Sequence, residues 1–302
     1  MSHATRTLVA LSALLAIAFP HPVHARDVKR CGITIGAGKT GKLVKNVTCG
    51  YRCTSDQTVR CAFDAHREDY VCPLDNGGCR SEEIFLGRNA TLDLNGFDLT
   101  AAYNQTGIVC SAGTHTRCTI KGPGNFFAAK STAITPNNRD VVLQDLLIDR
   151  DYGGFATAGW VHATNVRIQN CSSGMLAMKG ATVKNSSFGG DCGIASGKNL
   201  YLDKVESIDG LYAAGTIRGK DVTIQDGGIR AKDVFLTRAQ IPNPVNMSPI
   251  FNADVIAERR LVLRDSTVGD IESGVVPKLT GSSCVLSRKT GSSDTWGVCA
   301  LD

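Results

Sequence analysis

The sequence predicts an all-β protein built as a solenoid, in which short strands from successive repeats stack on one another. From residue 90 onward, triplets with an apolar residue at each end recur, as in Leu92-Asp93-Leu94. Most are followed two positions later by Gly, Asn or Asp, which tolerate the left-handed backbone of a tight bend. A unit this short cannot bury its own apolar face, whereas stacked copies can.

The triplets have the period-two pattern of a strand with one buried face. Their last residues, from position 94 to position 263, recur at uneven intervals that average about 21 residues, the length of a solenoid repeat. Because the intervals vary, we expect some triplets to lie on different strands of one coil. Residues 217–222 and 229–234 are nearly a duplication. The further triplets are 118–120, 141–143, 166–168, 181–183, 200–202, 222–224, 234–236 and 261–263.

The N-terminal segment 1–25 has the pattern of a cleavable export signal. Arg6 precedes an apolar run from Leu8 to Phe19, and Val23 and Ala25 place small residues at the two positions recognised for cleavage. The run is too short to cross a bilayer, and no later stretch approaches the ~18 apolar residues of a span. The sequence therefore predicts a signal peptide at 1–25 and a secreted, periplasmic or cell-surface protein without a membrane span.

Twelve cysteines, together with the export signal, predict disulfides. The alternative is a metal site, with His66 as a further ligand. No Cys-x-x-Cys occurs, so we expect no metal site. The last six cysteines fall into neighbouring pairs, and the pairing of the first six stays open. The neighbouring pairs are Cys110 with Cys118, Cys171 with Cys192, and Cys284 with Cys299; the first six are Cys31, Cys49, Cys53, Cys61, Cys72 and Cys79.

The sequence argues against nucleotide and nucleic-acid partners. Residues 36–42 (GAGKTGK) contain the glycines of a phosphate-binding loop, but Leu43 follows where Ser or Thr would hold Mg²⁺. A β-branched segment follows instead of a helix, which predicts a glycine-rich turn between two short strands. The net charge of +5 is too small to indicate nucleic acid as a partner.

Residues 91–96 (TLDLNG), 106–108 (TGI) and 118–124 (CTIKGPG) resemble segments of right-handed parallel β-helix proteins with the pectin-lyase-like fold. The resemblance covers residues 84–302. It implies three parallel sheets per coil, with a ligand along the outer face of one sheet. The cysteine-rich segment 26–83 is then an N-terminal cap over an otherwise exposed sheet edge. An antiparallel sandwich, the alternative, does not explain the repeat.

The resemblance does not assign an activity, because this fold carries both enzymes and non-enzymatic proteins. The sequence has no Asp-Asp pair and no Gly-His-Gly, as polygalacturonase-like enzymes have, and no Asp-Pro-His-Asp of alginate epimerases. Residues 238–242 (RAQIP) are only distantly similar to the Arg-x-Pro element of pectate lyases, and the spacing differs. Catalytic residues therefore stay unassigned. No cofactor is expected, apart from Ca²⁺ if the protein is a lyase.

Four arginines are candidates for a ligand-binding face. Arg218 and Arg230 occupy equivalent positions of the near-duplication, which predicts that they stand in register on a basic face; the alternative is solvated charge. Arg167 is the middle residue of the triplet 166–168, and Arg238 follows the triplet 234–236. A basic face of this kind would bind a polyuronate, and the sequence favours solvated charge over it.

Two acids form a further candidate site. Asp149 and Asp151 lie on one side of an extended segment, as the ligands of a cation would. Asp145 instead fits a column of turn residues shared with Asn170, Asn185, Asp226 and Asp265. The sequence predicts a non-catalytic exported β-helix that binds glycans or serves as a surface or envelope component; the alternative is a lyase or epimerase of uronate-containing glycans, or a glycoside hydrolase.

Overall fold

The structure of the chain is a computed structural model, and the residues it describes are all-β, with no helix among them. The predicted fold class, a parallel β-helix or β-solenoid, is confirmed. The described residues are 25–53, 62–64, 69–71, 79–101, 106–110, 117–128, 134–135, 140–149, 155–157, 159–171, 174–241 and 254–299. The predicted signal peptide therefore lies outside the described residues, apart from Ala25.

The strands are short in the first half of the chain and longer in the second. The first half contains β1 (Arg26–Val28), β2 (Ile33–Ile35), β3 (Thr40–Leu43), β4 (Val47–Cys49), β5 (Tyr51–Cys53), β6 (Ala62–Asp64), β7 (Asp69–Val71), β8 (Cys79–Ser81), β9 (Ile84–Leu86), β10 (Thr91–Asp93), β11 (Leu99–Ala101), β12 (Ile108–Cys110), β13 (Arg117–Lys121), β14 (Asn125–Ala128) and β15 (Ile134–Thr135). The second half contains β16 (Asp140–Asp149), β17 (Phe155–Thr157), β18 (Trp160–Cys171), β19 (Met175–Ala177), β20 (Gly180–Gly190), β21 (Ile194–Ser196), β22 (Asn199–Ser207), β23 (Leu211–Ile224), β24 (Ile229–Thr237), β25 (Gln240–Ile241), β26 (Val255–Arg264), β27 (Thr267–Val268), β28 (Ile271–Ser273), β29 (Lys278–Thr280) and β30 (Ser287–Lys289).

Each coil passes through three parallel sheets, which we number in the order of β2, β3 and β4; β1 pairs with β3 in sheet 2. The first coil places β2 in sheet 1, β3 in sheet 2 and β4 in sheet 3, and the next coil stacks β9, β10 and β11 on them. Later strands bend from one sheet into the next, and β23 crosses all three. The stack thus includes strands from residues 26–49. Between this coil and β9, the hairpin pairs β5–β8 and β6–β7 are antiparallel.

Aliphatic columns fill the interior of the solenoid. The inward positions of sheet 2 stack in register from coil to coil, and each is almost completely buried. Each apolar side chain therefore packs on its equivalents above and below, which a single coil does not provide. The column contains Leu92, Ile120, Leu143, Ala163, Val183 and Leu202.

The triplets lie on two different sheets, as the uneven intervals predicted. Residues 166–168 and 222–224 are in sheet 3, whereas 181–183 and 200–202 are in sheet 2. In register, His162 pairs with Thr182, Thr182 with Tyr201, Tyr201 with Arg218 and Arg218 with Phe235. The coil length therefore differs only slightly among these coils. The two shortest intervals between triplets, from 168 to 183 and from 224 to 236, come from the change from sheet 3 to sheet 2.

From β16 onward, the bend between sheets 2 and 3 contains one left-handed residue per coil. Asp145, Asn185 and Asp265, three of the predicted turn residues, belong to it, and Nδ2 of Asn165 donates a 2.7 Å hydrogen bond to Oδ1 of Asp145. The prediction was wrong in placing Asn170 and Asp226 in the same column, because the triplets before them are in sheet 3. The full column is Asp145, Asn165, Asn185, Lys204, Asp221, Arg238, Asp265 and Gly281, with φ between 46° and 57°.

Among the described residues, four disulfides join cysteines that are near in sequence. They link Cys31 to Cys49, Cys110 to Cys118, Cys171 to Cys192, and Cys284 to Cys299. Such bonds indicate an extracellular or otherwise oxidising compartment. Cys53 and Cys79 are opposite each other in the β5–β8 ladder, whereas Cys61 and Cys72 lie outside the described residues. In the described part of the chain, no helix is long and apolar enough to cross a membrane.

A buried carboxyl group lies where the chain enters sheet 1. Asp254 is 1% exposed, and its Oδ2 accepts a 2.6 Å hydrogen bond from the backbone N–H of Asp270. Burial, with a smaller contribution from the nearby Asp270 charge, raises the pKa of Asp254 from 3.8 to about 6. The folded protein therefore binds this proton more tightly than the unfolded chain does.

We expect this carboxyl group to make the protein less stable as the pH rises from about 4 to about 6. Over this range the unfolded chain has released the proton while the folded protein retains it, so the slope of stability with pH is negative. In Asp254→Asn that contribution disappears, and the variant should gain about 2 kcal/mol on wild type between pH 4 and pH 7. Urea denaturation at both pH values measures it, and a constant difference between the two proteins would contradict it.

Candidate functional site

A polar groove follows the bend between sheets 2 and 3. It encloses about 730 Å³ and crosses five successive coils, and we call it the bend groove. Each coil contributes residues at the bend and at the start of sheet 3. The lining residues are Asn165, Val166, Arg167, Asn185, Ser186, Ser187, Lys204, Glu206, Asp221, Thr223, Arg238 and Gln240.

Two parallel columns provide the polar groups of the bend groove. One is the left-handed bend column from Asn165 to Arg238. The other is an outward column of sheet 3, in which neighbouring coils stand in register. Since coils are stacked about 4.8 Å apart, the groove repeats a polar group at this distance along the solenoid axis. The sheet 3 column contains Arg167, Ser187, Glu206, Thr223 and Gln240.

The charges of the bend groove are partly paired. Nε and Nη2 of Arg238 donate hydrogen bonds of 2.6 and 2.7 Å to the two carboxylate oxygens of Asp221. These hydrogen bonds hold the pKa of Asp221 below its ordinary value and raise the pKa of Arg238. Arg167, Lys204 and Glu206 are exposed and form no ion pair within 4 Å with any described residue. The unpaired charges of the groove are thus two cations and one anion.

The polar groups of the bend groove can form hydrogen bonds and ion pairs with a ligand. Hydrolysis needs one carboxyl group that is protonated and donates its proton to the leaving oxygen, beside a second that is ionised. Of the two acids in the groove, Asp221 is held ionised by Arg238. The other acid is the exposed Glu206, and the remaining polar groups are amides, hydroxyls and cations.

A second surface adjoins the groove on the outer side of sheet 2. It is a shallow depression of about 340 Å³, which we call the aromatic face, and it includes Tyr201, Arg218 and Phe235. The Arg218 guanidinium carbon is 5.0 Å from the centre of the Phe235 ring, and that of Arg260 is 4.7 Å from it. These are cation–π distances, so the aromatic ring holds two guanidinium groups on the surface.

The structure distributes the sequence-predicted arginines over three surfaces. Arg167 and Arg238 line opposite ends of the bend groove, four coils apart, and Arg218 is on the aromatic face. The prediction that Arg218 and Arg230 stand in register was wrong. Arg230 is in sheet 1, opposite Tyr212, and Nη2 of Arg230 is 3.5 Å from Oε1 of Glu258. The near-duplicated segments occupy different sheets because both sheets accept the same alternating pattern.

The predicted acidic pair is only partly described. Oδ1 of Asp149 accepts a 2.8 Å hydrogen bond from Nδ2 of Asn170, and Asp151 lies outside the described residues. Among the residues that the structure describes, no three His, Cys, Asp or Glu side chains form a group that could hold a metal ion. A role for Ca²⁺ stays a prediction.

Sequence reasoning missed Lys204, Glu206, Tyr201 and Phe235. Tyr201 and Phe235 were recognised only as the middle residues of triplets. Lys204 and Glu206 lie just after the triplet 200–202, on the same coil as Tyr201. The coil register is the signal that would have found them, because it aligns positions 167, 187, 206, 223 and 240 into one column.

No family model, no characterised protein and no solved structure matches the chain in sequence or fold comparison. The class of protein is therefore defined by its architecture, a disulfide-containing parallel β-solenoid. Its particular feature is a polar groove that runs along one bend of the coil beside an aromatic and basic sheet face.

Proposed function

We propose that the protein is an exported, non-catalytic β-solenoid that binds an extended glycan in the bend groove, as a component of a cell surface or envelope. The observation that carries the proposal is the regular array of polar side chains across five coils. Four steps of about 4.8 Å give an array roughly 19 Å long. A linear polymer fits such an array better than a compact small molecule does.

The chemistry of the array supports a sugar polymer. Asn185, Ser187, Thr223 and Gln240 provide amide and hydroxyl groups that both donate and accept hydrogen bonds, as sugar hydroxyls require. The excess of cations, with Arg167 as the guanidinium that forms no ion pair with a described residue, favours glycans with carboxylate or sulfate groups. A polypeptide that binds as an added strand would instead need a free sheet edge, whereas the strands that line the groove are paired on both sides.

Two features support export. Segment 1–25 has the signal-peptide pattern, and the four described disulfides require an oxidising compartment to persist. A glycan ligand of a cell surface or envelope is present in the same compartment. An exported protein would therefore encounter such a glycan.

The proposal predicts that oxidised 26–302 is retained by acidic polysaccharides and leaves them intact. A panel of neutral and acidic polysaccharides, with and without Ca²⁺, is tested for retention and for new reducing or unsaturated ends. Arg167→Ala should weaken retention about tenfold, because a charged hydrogen bond contributes about 1.5 kcal/mol. Arg117→Ala is the matched control, since Arg117 is exposed on sheet 2 and outside the groove.

Three outcomes would contradict the proposal. Failure of every polysaccharide to bind would remove its basis. New chain ends would establish an enzyme of the lyase, epimerase or hydrolase type in place of a binding protein. An equal effect of Arg117→Ala and Arg167→Ala would show that retention depends on overall charge and not on the bend groove.

A further inference from the structure

The aromatic face has an alternating pattern along the solenoid axis. We call the sheet 2 strand of each coil a rung. Five successive rungs are in register, and one outward column across them contains Lys184, Asp203, Lys220, Thr237 and Arg264. A neighbouring column carries Thr182, Tyr201, Arg218, Phe235 and Val262 on the same rungs. Rungs one, three and five thus bear cations, whereas rungs two and four bear the aromatic side chains.

The alternation fixes a distance between cationic positions. Two rungs correspond to roughly 9.6 Å, because neighbouring strands are about 4.8 Å apart. The intermediate rung two carries Asp203, which repels an anionic group placed there. A ligand that follows the axis therefore meets attraction, repulsion and attraction again at Lys184, Asp203 and Lys220.

The two aromatic side chains have different roles on this face: Phe235 restricts the positions of two guanidinium groups, and Tyr201 offers a surface on which a sugar ring can pack. Phe235 has the guanidinium groups of Arg218 and Arg260 within 5.0 Å and 4.7 Å of its ring centre, so neither cation is free to move over the whole surface. Tyr201 is 38% exposed and lies between the cations of rungs one and three. An uncharged sugar ring can pack on it, as aromatic side chains pack on apolar ring faces.

We propose that the aromatic face is a second glycan-binding site, selective for linear polysaccharides with an anionic group on every second sugar. The inference rests on the proposed function in taking a glycan as the ligand, but it concerns a different surface. A disaccharide unit is about two rungs long, so its anionic sugar falls on a cationic rung and its neutral sugar on the rung of Tyr201. A homopolymer of uronates places a carboxylate beside Asp203.

Nucleic acid fits the aromatic face less well. A single strand also combines stacking with negative charge, but it carries a phosphate at every nucleotide. Rung two presents an acid, and rung four presents Thr237 at the position where rungs three and five carry Lys220 and Arg264. Every second phosphate would therefore lack a cation in this column. The observations favour the polysaccharide, and the nucleic acid becomes an outcome of the test.

The test compares size-matched fragments of hyaluronan, with a carboxylate on alternate sugars, and polygalacturonate, with a carboxylate on each sugar. Equilibrium binding is measured at fixed ionic strength on wild type, Arg218→Ala, Tyr201→Ala and Asp203→Asn. Arg218→Ala and Tyr201→Ala should each weaken hyaluronan binding about tenfold and leave polygalacturonate binding within twofold. Asp203→Asn, a nearly isosteric change, should strengthen polygalacturonate binding severalfold and so reduce the selectivity.

The variants separate this inference from the proposed function. Arg167→Ala, in the bend groove, serves as the control that should leave the effect of Asp203→Asn unchanged. Equal binding of both polymers by wild type and Asp203→Asn would overturn the inference while leaving the bend groove intact. Binding of neither polymer would overturn the proposed function as well. A single-stranded oligonucleotide that displaces hyaluronan at lower concentration would assign the surface to nucleic acid and overturn the inference.

Discussion

Replacing Phe126 with alanine is expected to lower the free energy of unfolding by about 3–5 kcal/mol. Phe126 is fully buried, and its backbone is in sheet 3 between Leu99 of the preceding coil and Ile148 of the next. Each inward residue of a solenoid packs on neighbours in both directions, so the cavity would weaken two coil interfaces. Urea denaturation, followed by far-UV circular dichroism, measures the loss.

Gly107 provides a sharper test of the same packing. A β-carbon at Gly107 would lie 2.5 Å from Cζ of Phe126, closer than two carbons can approach. Gly107→Ala should therefore destabilise the protein by about 1–3 kcal/mol, as overpacking does. In combination with Phe126→Leu, which shortens the side chain, the alanine should cost less by about 1 kcal/mol or more. Strictly additive effects of the two changes would contradict this account of the contact.

The fold was predictable because its determinants are local and repeated. Alternating triplets such as 92–94 and 261–263 give the strand type, and the residues after them give the bends. Asp145 could be assigned to a turn before the structure was known, and its φ of 53° agrees. Neither inference requires knowing which strand is next to which.

The coil register could not be predicted, because every sheet uses the same alternating pattern. Residues 217–222 and 229–234 are almost identical, yet Ile217 pairs with Val234 and Ile229 pairs with Leu211. The spacing of the triplets does not determine the register either. Phe235 has a register partner on each neighbouring coil, and the two partners lie at unequal distances from it in the sequence. Val262 on the following coil is much farther along the chain from Phe235 than Arg218 on the preceding coil is.

Predicting the candidate site requires the coil register, whereas predicting the fold class does not. Arg167 and Arg238 are far apart in sequence and line the same groove only because the intervening coils stack in one alignment. Lys204 had no turn signal, since lysine rarely adopts a left-handed backbone, although its φ is 55°. Its position in the bend is set by the neighbouring coils and not by its own preference.

Removing the disulfide between Cys284 and Cys299 is expected to destabilise the C-terminal end of the solenoid by about 3 kcal/mol. The two cysteines are 15 residues apart, and closing a loop of this size restricts the unfolded chain by that amount. The loop also covers the last strand of sheet 1, because Arg288 of β30 forms an antiparallel bridge with Thr295. Nε1 of Trp296 donates a 3.1 Å hydrogen bond to the backbone oxygen of Ser273, one coil earlier.

The expected consequence extends beyond stability, since an uncovered terminal strand pairs readily with another chain. Cys284→Ser combined with Cys299→Ser should therefore form dimers and larger species in light scattering, at concentrations where wild type stays monodisperse. Trp296→Ala is the matched control: it keeps the disulfide and loses the side-chain contacts with Ser273 and Lys289, so it should associate less. If the double variant unfolds at a lower urea concentration and yet does not associate, the segment stabilises the last coil without protecting its edge. The end of the stack would then owe its solubility to the polar side chains of β30 itself, whose middle and last residues are Arg288 and Lys289.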